Sequence, residues 1–233
     1  MNKFKAFRIR EREQRIVAGF ETMSTDQLTP GDVLIRVRYS SINYKDALAA
    51  TGAGRILRQY PLNGGIDLSG EITSSTDARY EPGQAVLVTG CSLSETVDGG
   101  YAEYARVTGD SVIRLPDGID LMQAMAIGTA GFTAALAIHR MEHNGQNPAK
   151  GPVVVTGASG GVGSIAVDLL AGRGYEVVAV SGKPEADEFL KALGAARILR
   201  RQDIDLGSRP MEAVRWAGAI DNVGGELLTW LTR

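Results

Sequence analysis

Along the first half of this 233-residue chain apolar positions alternate with polar ones over short stretches, whereas in the second half they recur at helical spacing. Val33, Ile35, Val37 and Tyr39 alternate with Leu34, Arg36, Arg38 and Ser40 after the turn Pro30-Gly31-Asp32, the period-two pattern of a strand. Turns at Asn63-Gly64-Gly65, Glu81-Pro82-Gly83 and Asp98-Gly99-Gly100 separate the short apolar segments Ile66-Asp67-Leu68, Ala85-Val86-Leu87-Val88 and Tyr101-Ala102-Glu103-Tyr104-Ala105. Many short strands punctuated in this way predict a small barrel or a pair of packed sheets. The charges near the start, Arg8, Arg10, Glu11, Arg12 and Glu13, mark an exposed strand and turn.

Leu115-Pro116-Asp117-Gly118 closes this region, and Leu121–Ile127 and Phe132–His139 are then rich in helix formers. A domain boundary is expected near residue 120, giving a β-rich domain over 1–120 and an α/β domain over 121–233. In the second, Val153-Val154-Val155 is a β-branched run too short for a helix, and Val162, Ile165, Ala166, Leu169 and Leu170 follow at helical spacing. The period changes across Gly157, Gly160, Gly161 and Gly163, residues that let the backbone turn sharply and approach a ligand closely. The helix that follows offers unpaired N–H groups to a pyrophosphate. Two glycine spellings fit, Gly157-x-x-Gly160-x-x-Gly163 and Thr156-Gly157-x-x-x-Gly161-x-Gly163, neither being the strict dinucleotide fingerprint.

Tyr175–Val180 supplies a second strand after a helix of the right length, which completes a βαβ unit. Glu185–Leu193 reads as a helix ended by Gly194, Ala196–Leu199 as a third strand and Trp216–Ile220 as a fourth, with Asp221–Gly225 at its C-terminal end and another helix from Glu226. A doubly wound sheet of this kind has six strands, so the last two are expected to be missing. The end of the second strand bears on the cofactor. An acidic residue there, roughly 20 residues past the glycines, holds the ribose hydroxyls of NAD, whereas a 2′-phosphate calls for a cation. The chain reads Ser181-Gly182-Lys183, a hydroxyl, a permissive glycine and an ammonium, which favours NADPH.

Composition narrows the class without identifying it. A formal net charge of −2, a pI near 5.8 and interspersed charges give no sign of a nucleic-acid surface. The single cysteine, Cys91, excludes an internal disulfide framework and fits a cytoplasmic location. No apolar run approaches the roughly 20 residues of a membrane span, and the first residues are charged where a signal peptide would be apolar. His139 and His143, spaced as metal-binding pairs can be, are expected to serve a helix C-terminus just before Asn144-Gly145.

With both halves in view the chain resembles the medium-chain dehydrogenase/reductase superfamily, in which a GroES-like catalytic domain precedes a Rossmann domain. Within it the likeness is to the zinc-independent quinone-oxidoreductase branch, specifically to acryloyl-CoA reductases. Tyr39–Asp46, Gly65–Glu71, Asp98–Ala105, Thr156–Gly163 and Trp216–Asp221 carry the resemblance, in the expected order and across essentially the whole chain. Zinc-dependent members place a cysteine near Asn43-Tyr44, a histidine and glutamate at Ile66-Asp67, and a four-cysteine lobe further on. None of these residues is present here.

The resemblance implies transfer of a hydride from NADPH to the β-carbon of an α,β-unsaturated thioester such as acryloyl-CoA, with hydrogen-bond donors steadying the enolate before the α-carbon is protonated. Without a metal, an activated alkene is a better substrate than an alcohol or aldehyde. Asn43 and Tyr44 are expected to end an inner strand and face the cofactor, Asn43 orienting the carbonyl and Tyr44 contacting the nicotinamide or donating toward the enolate. Ser159, Gly160, Gly161, Val162 and Gly163 would carry the diphosphate and Ser181, Gly182 and Lys183 the 2′-phosphate. Asp221, Asn222 and Val223 would line the nicotinamide side, with Arg197 a distant extra candidate for phosphate. Relatives extend about a further hundred residues and commonly pair as homodimers.

Three rival readings remain open: a short-chain dehydrogenase, a quinone or enone reductase, and a chain that binds NADPH without turnover. The first needs a Tyr-x-x-x-Lys pair after the glycines, but Tyr175 has Ala179 at the fourth position.

Overall fold

The computed structural model describes residues 3–205 and 215–233. The chain divides into two compact units, Met1–Thr129 and Ala130–Arg233.

The first unit begins with a hairpin, β1 (Lys3–Arg12) and β2 (Arg15–Ser24), and continues through β3 (Val33–Tyr39), α1 (Tyr44–Thr51), β4 (Leu62–Asn63), β5 (Asp67–Ser75), β6 (Ala85–Thr89), β7 (Tyr104–Val107) and β8 (Ile113–Arg114). The sequence left a barrel or paired sheets open, and the described residues form two antiparallel sheets, ordered β2-β1-β4 and β7-β3-β5-β6-β8. The Tyr101–Ala105 segment is strand only from Tyr104. Its first part instead crosses to β1, with Phe7 N–H donating to the Tyr101 carbonyl at 2.7 Å and Glu103 N–H to that of Lys5 at 3.1 Å. Val33, Ile35, Leu68, Ile72, Val86, Val88, Ala105 and Val107 form the larger core, as period-two alternation on paired strands requires.

Helix α2 (Leu121–His143) leaves helical geometry at Gly128, where φ is 46° and ψ −157°, one residue before the division between the units. Among the described residues α2 alone is long and apolar enough to cross a membrane, with mean hydropathy 1.6, contrary to the sequence expectation of no such run. The break at Gly128 nevertheless splits it into pieces shorter than the roughly 20 residues a span needs.

The second unit continues with β9 (Val153–Thr156), α3 (Gly161–Gly172), β10 (Val177–Ser181), α4 (Asp187–Ala192), β11 (Arg197–Arg200), β12 (Gly218–Ile220) and α5 (Gly225–Leu231). Its sheet is wholly parallel and ordered β11-β10-β9-β12, the first four strands of a doubly wound 3-2-1-4 arrangement. Both faces are covered, which explains why its strands are continuously apolar. Val153, Val155, Val177 and Ala179 pack with Ala166, Val167, Leu170 and Leu190, while Val154, Val178 and Val180 pack with Leu227 and Trp230. Chain order reverses between β9 and β12. In open parallel sheets the crevice at the C-terminal ends of such a strand pair is where ligands bind.

Candidate functional site

Two groups of polar residues stand out, one in each unit. In the second, Gly157 adopts φ 58° directly after β9, and Gly163 lies against it so closely that a Cβ there would fall 2.3 Å from the Gly157 carbonyl oxygen. This contact pulls the start of α3 back under the end of β9. The first bond into the helix runs from Ser164 N–H to the Gly160 carbonyl at 2.9 Å, so the N–H groups of Gly161, Val162 and Gly163 have no helical acceptor. Gly160 and Gly161 are exposed. The bend therefore presents the positive end of a helix beneath an open surface, a fit for a diphosphate that side chains would obstruct.

At the end of β10 the buried Ser181 hydroxyl donates to Ser159 Oγ at 3.2 Å and accepts from Lys183 N–H at 3.1 Å. Gly182 and Lys183 are exposed. The structure thus brings Ser159, Ser181, Gly182 and Lys183 together beside the glycine bend. Arg197 is not part of this group. It begins β11, where it pairs with Glu176 at 3.2 Å and lies over the Trp216 ring. Sequence reasoning missed Arg200, which ends β11 in register with Ser181.

Asp221 and Asn222 hold the switch point together. Thr156 Oγ1 donates to Asp221 Oδ1 at 2.5 Å and accepts from Asn222 N–H at 2.9 Å, while Asn222 Nδ2 donates to the Thr156 carbonyl at 2.9 Å. Val223 and Gly224 N–H groups also donate to Asp221, at 3.2 and 3.0 Å. These side chains lock the ends of β9 and β12 rather than reach outward, so any lining they provide is by backbone, with the half-exposed Val223 beside them. Burial alone would raise the Asp221 pKa, but the hydrogen bonds from Thr156, Gly224 and Val223 outweigh it and hold the carboxyl below its ordinary value.

In the first unit, Asn43 and Tyr44 do not end a strand: β3 stops at Tyr39, Asn43 caps α1 and Tyr44 begins it. The intervening chain still alternates. Ser41 and Asn43 turn inward to the fully buried Asp67 carboxylate, while Ile42 and Tyr44 point out and are 90% and 81% exposed. Asp67 Oδ2 accepts from Ser41 Oγ, from Asn43 Nδ2 at 2.8 Å and from Thr129 N–H at 3.0 Å, and its Oδ1 accepts from Thr129 Oγ1 at 2.5 Å. The kink at Gly128 delivers Thr129 to this carboxylate, and a Cβ on Gly128 would sit 2.9 Å from Asp67 Oδ2.

Asp46, also buried, accepts from the N–H groups of Asn43 at 2.8 Å and Ile66 at 3.0 Å, and from the Tyr101 hydroxyl at 3.1 Å. Burial, together with Asp46 and Asp67, pushes the Tyr101 phenol well above its usual range, so it stays a donor.

Asn43 thus has its amide nitrogen committed, which fixes its orientation, whereas the Tyr44 hydroxyl has no partner among the described residues. The sequence did hold a signal for Asp67: an acid inside the apolar run Ile66-Asp67-Leu68 must be buried, and a buried carboxylate must find donors. Among the described residues no group of three or more His, Cys, Asp and Glu could hold a metal ion. His143 ends α2 and His139 lies one turn before it, with ring centres 6.3 Å apart, and Cys91 is exposed.

Residues 29–117 match the alcohol dehydrogenase GroES-like domain family. The chain is 49% identical over 224 residues to the probable acrylyl-CoA reductase AcuI of Escherichia coli K12, a match covering 96% of this chain and 69% of that protein. It is 47% identical over 229 residues to the putative quinone oxidoreductase YhfP of Bacillus subtilis 168, covering 98% and 69%. The crystal structure of B. subtilis yhfP with NAD bound superposes with a TM-score of 0.94, at 46% identity and covering 100% of this chain and 71% of that one. The yhdH oxidoreductase of Salmonella enterica in complex with NADP gives 0.92 at 49% identity, covering 96% and 69%.

Two consequences can be measured. Replacing Asp67 by Asn would turn an amide N–H₂ toward groups that all donate, and chemical denaturation should register a loss of about 1–3 kcal/mol; an unchanged midpoint would refute the burial argument. Because the folded-state pKa of Asp221 is depressed, its contribution is present above the unfolded carboxylate pKa and is lost as pH falls through the folded value. Asp221→Asn should therefore narrow the gap in melting temperature between pH 7 and pH 3, and an undiminished gap would contradict the assignment.

Proposed function

The chain belongs to the medium-chain dehydrogenase/reductase superfamily, in its quinone-oxidoreductase-like branch, and on that premise we propose that it reduces the activated C=C bond of an α,β-unsaturated acyl-CoA at the expense of NADPH. The observation that carries the cofactor half is the glycine bend at the β9/β12 switch point, with the unpaired N–H groups of Gly161, Val162 and Gly163 beside a strand end that reads Ser181-Gly182-Lys183. The thioester half is supported by the relative named for acrylyl-CoA.

When bound, NADPH supplies a hydride from its nicotinamide ring. The protein's own groups do the rest. The N–H groups at the start of α3, with Ser159 and Gly160, hold the diphosphate, and Ser181, Gly182 and Lys183 hold the 2′-phosphate. Asp221 and Asn222 keep the ends of β9 and β12 in register, so that the backbone through Val223 lines the nicotinamide half. Asp67 accepts from the Asn43 amide nitrogen and fixes the side chain that we assign to orienting the substrate carbonyl. Tyr44, exposed and unpartnered, is the donor for the enolate oxygen that develops as hydride reaches the β-carbon. We assign the reaction to the cytoplasm. A second reading, reduction of a quinone or enone by the same hydride, draws on the B. subtilis relative's name.

NADPH oxidation followed with acryloyl-CoA, crotonyl-CoA and a simple quinone separates these readings. Turnover of acryloyl-CoA, with kcat lowered about 10²-fold by Tyr44→Phe, is the expected result. Oxidation with quinone alone would overturn the thioester proposal, and NADPH binding without oxidation of any substrate would mark a binding protein. In the same assay Lys183→Glu should weaken NADPH far more than NADH; equal losses would remove Lys183 from the phosphate site.

A further inference from the structure

Strand β2 is 10 residues long and forms one border of the sheet β2-β1-β4, with no neighbour on its outer side among the described residues. Which backbone groups it leaves open follows from β1. Phe7 turns its C=O and N–H to Gly64 and Tyr101, at 2.9 and 2.7 Å, and therefore away from β2. Phe20 stands opposite Phe7, and in an antiparallel pair a residue whose partner faces away faces away too. The two-residue turn Glu13-Gln14, with φ 49° and 61°, sets the same phase, because the residues flanking such a turn bond to each other. Ile16, Ala18, Phe20 and Thr22 accordingly point their N–H and C=O groups outward, where none has a partner among the described residues.

A long strand edge is commonly blunted by a proline or a bulge. β2 has neither: its register on β1 runs unbroken from Ser24 to Arg15, and it leaves Val17 46% and Phe20 80% exposed. Its sequence is also self-complementary. Laid antiparallel on a second copy about Ala18, the stretch Arg15–Glu21 sets Arg15 opposite the partner's Glu21, Ile16 opposite the partner's Phe20 and Val17 opposite the partner's Gly19. Arg15 needs such an acid. Within the hairpin it stands opposite Arg12, a like-charge pair in which neither side chain has an ion pair among the described residues. Glu21 accepts from Arg10 Nε at 2.6 Å, and a carboxylate has acceptor sites for a second guanidinium. Nothing lies within 4 Å of the place a Gly19 Cβ would take, which leaves room for a valine side chain. Slipping the partner by two residues, the smallest step that keeps the outward groups facing each other, puts Arg15 opposite Gly19 or Met23 and loses both charge pairs.

We propose that β2 is an interface with a second copy of this chain, the two copies joining edge to edge about a two-fold axis through Ala18. The two sheets then become one. Such pairing is isologous, so every contact occurs twice and the assembly closes at the dimer. Ile16, Ala18 and Phe20 exchange main-chain bonds across the axis, and Arg15 with Glu21 fixes the register. An interface of this size belongs to the weak, reversible class, so association follows protein concentration.

Sedimentation velocity of the full chain over a concentration series tests this. The unsubstituted chain should pass from monomer to dimer as concentration rises. Arg15→Glu alone and Glu21→Arg alone each set like charges at both ends of the pairing and should weaken self-association about tenfold. An equimolar mixture of the two variants should recover the dimer, because their reversed charges complement one another. Ala18→Pro removes an N–H that bonds to nothing within the chain, so it should abolish the dimer while the chain stays folded. A chain that remains monomeric throughout would overturn the proposal. So would a dimer that Ala18→Pro and both charge reversals leave intact, or a mixture that stays monomeric although both variants melt as the unsubstituted chain does.

Discussion

The second unit depends on how closely Gly163 approaches Gly157. With a Cβ at Gly163 only 2.3 Å from the Gly157 carbonyl, no other residue fits there unless the strand and helix move apart. That contact decides where α3 begins, and so where its unpaired N–H groups lie relative to the ends of β9 and β10. The cofactor chemistry follows from it: the diphosphate needs the helix start, and the distinction between 2′-phosphate and 2′-hydroxyl needs the end of the neighbouring strand. The Thr156–Asp221–Asn222 bonds serve the same arrangement from the other side by holding β12 against β9 at the point where chain order reverses.

The first unit solves a different problem, that of keeping a carboxylate in an apolar strand. Asp67 is fully buried, and the groups that donate to it include a serine, an asparagine and a threonine side chain and a backbone N–H, none of them cationic. A buried charge held in this way is stable only while every donor stays in place. It therefore imposes order on its surroundings. The kink of α2 at Gly128 brings Thr129 to the carboxylate, and the extended Ser41–Asn43 segment brings the other side chains, leaving Ile42 and Tyr44 facing outward. Tyr44 is thus displayed on a backbone fixed from beneath, the fixed orientation that its proposed role as a hydrogen-bond donor to the enolate oxygen calls for.

Much of this was legible in the chain because it rests on local rules. The change from β-branched runs to helical spacing across the glycines marked β9, α3 and β10, and the order of motifs carried the family. Misread features arose where tertiary contacts override local pattern. Asn43 and Tyr44 follow a strand in sequence, but the buried Asp46 and Asp67 draw the chain into a helix cap there. Asp221 and Asn222 look like ligand-facing polar residues, yet the ends of a parallel pair need cross-strand bonds and consume their side chains. Arg200 was passed over for Arg197, since only the register of β11 on β10 tells which arginine of that strand stands beside Ser181. Alternation could not separate a barrel from two sheets either, because both bury every second residue.

The central claim is that the N–H groups opening α3 receive the diphosphate of a dinucleotide. An amide-resolved NMR titration of the chain with NADPH tests it most directly. The largest saturable shifts are expected at Gly161, Val162 and Gly163, with smaller ones at Ser181 and Lys183. Saturable binding that leaves those three amides unmoved would contradict the account.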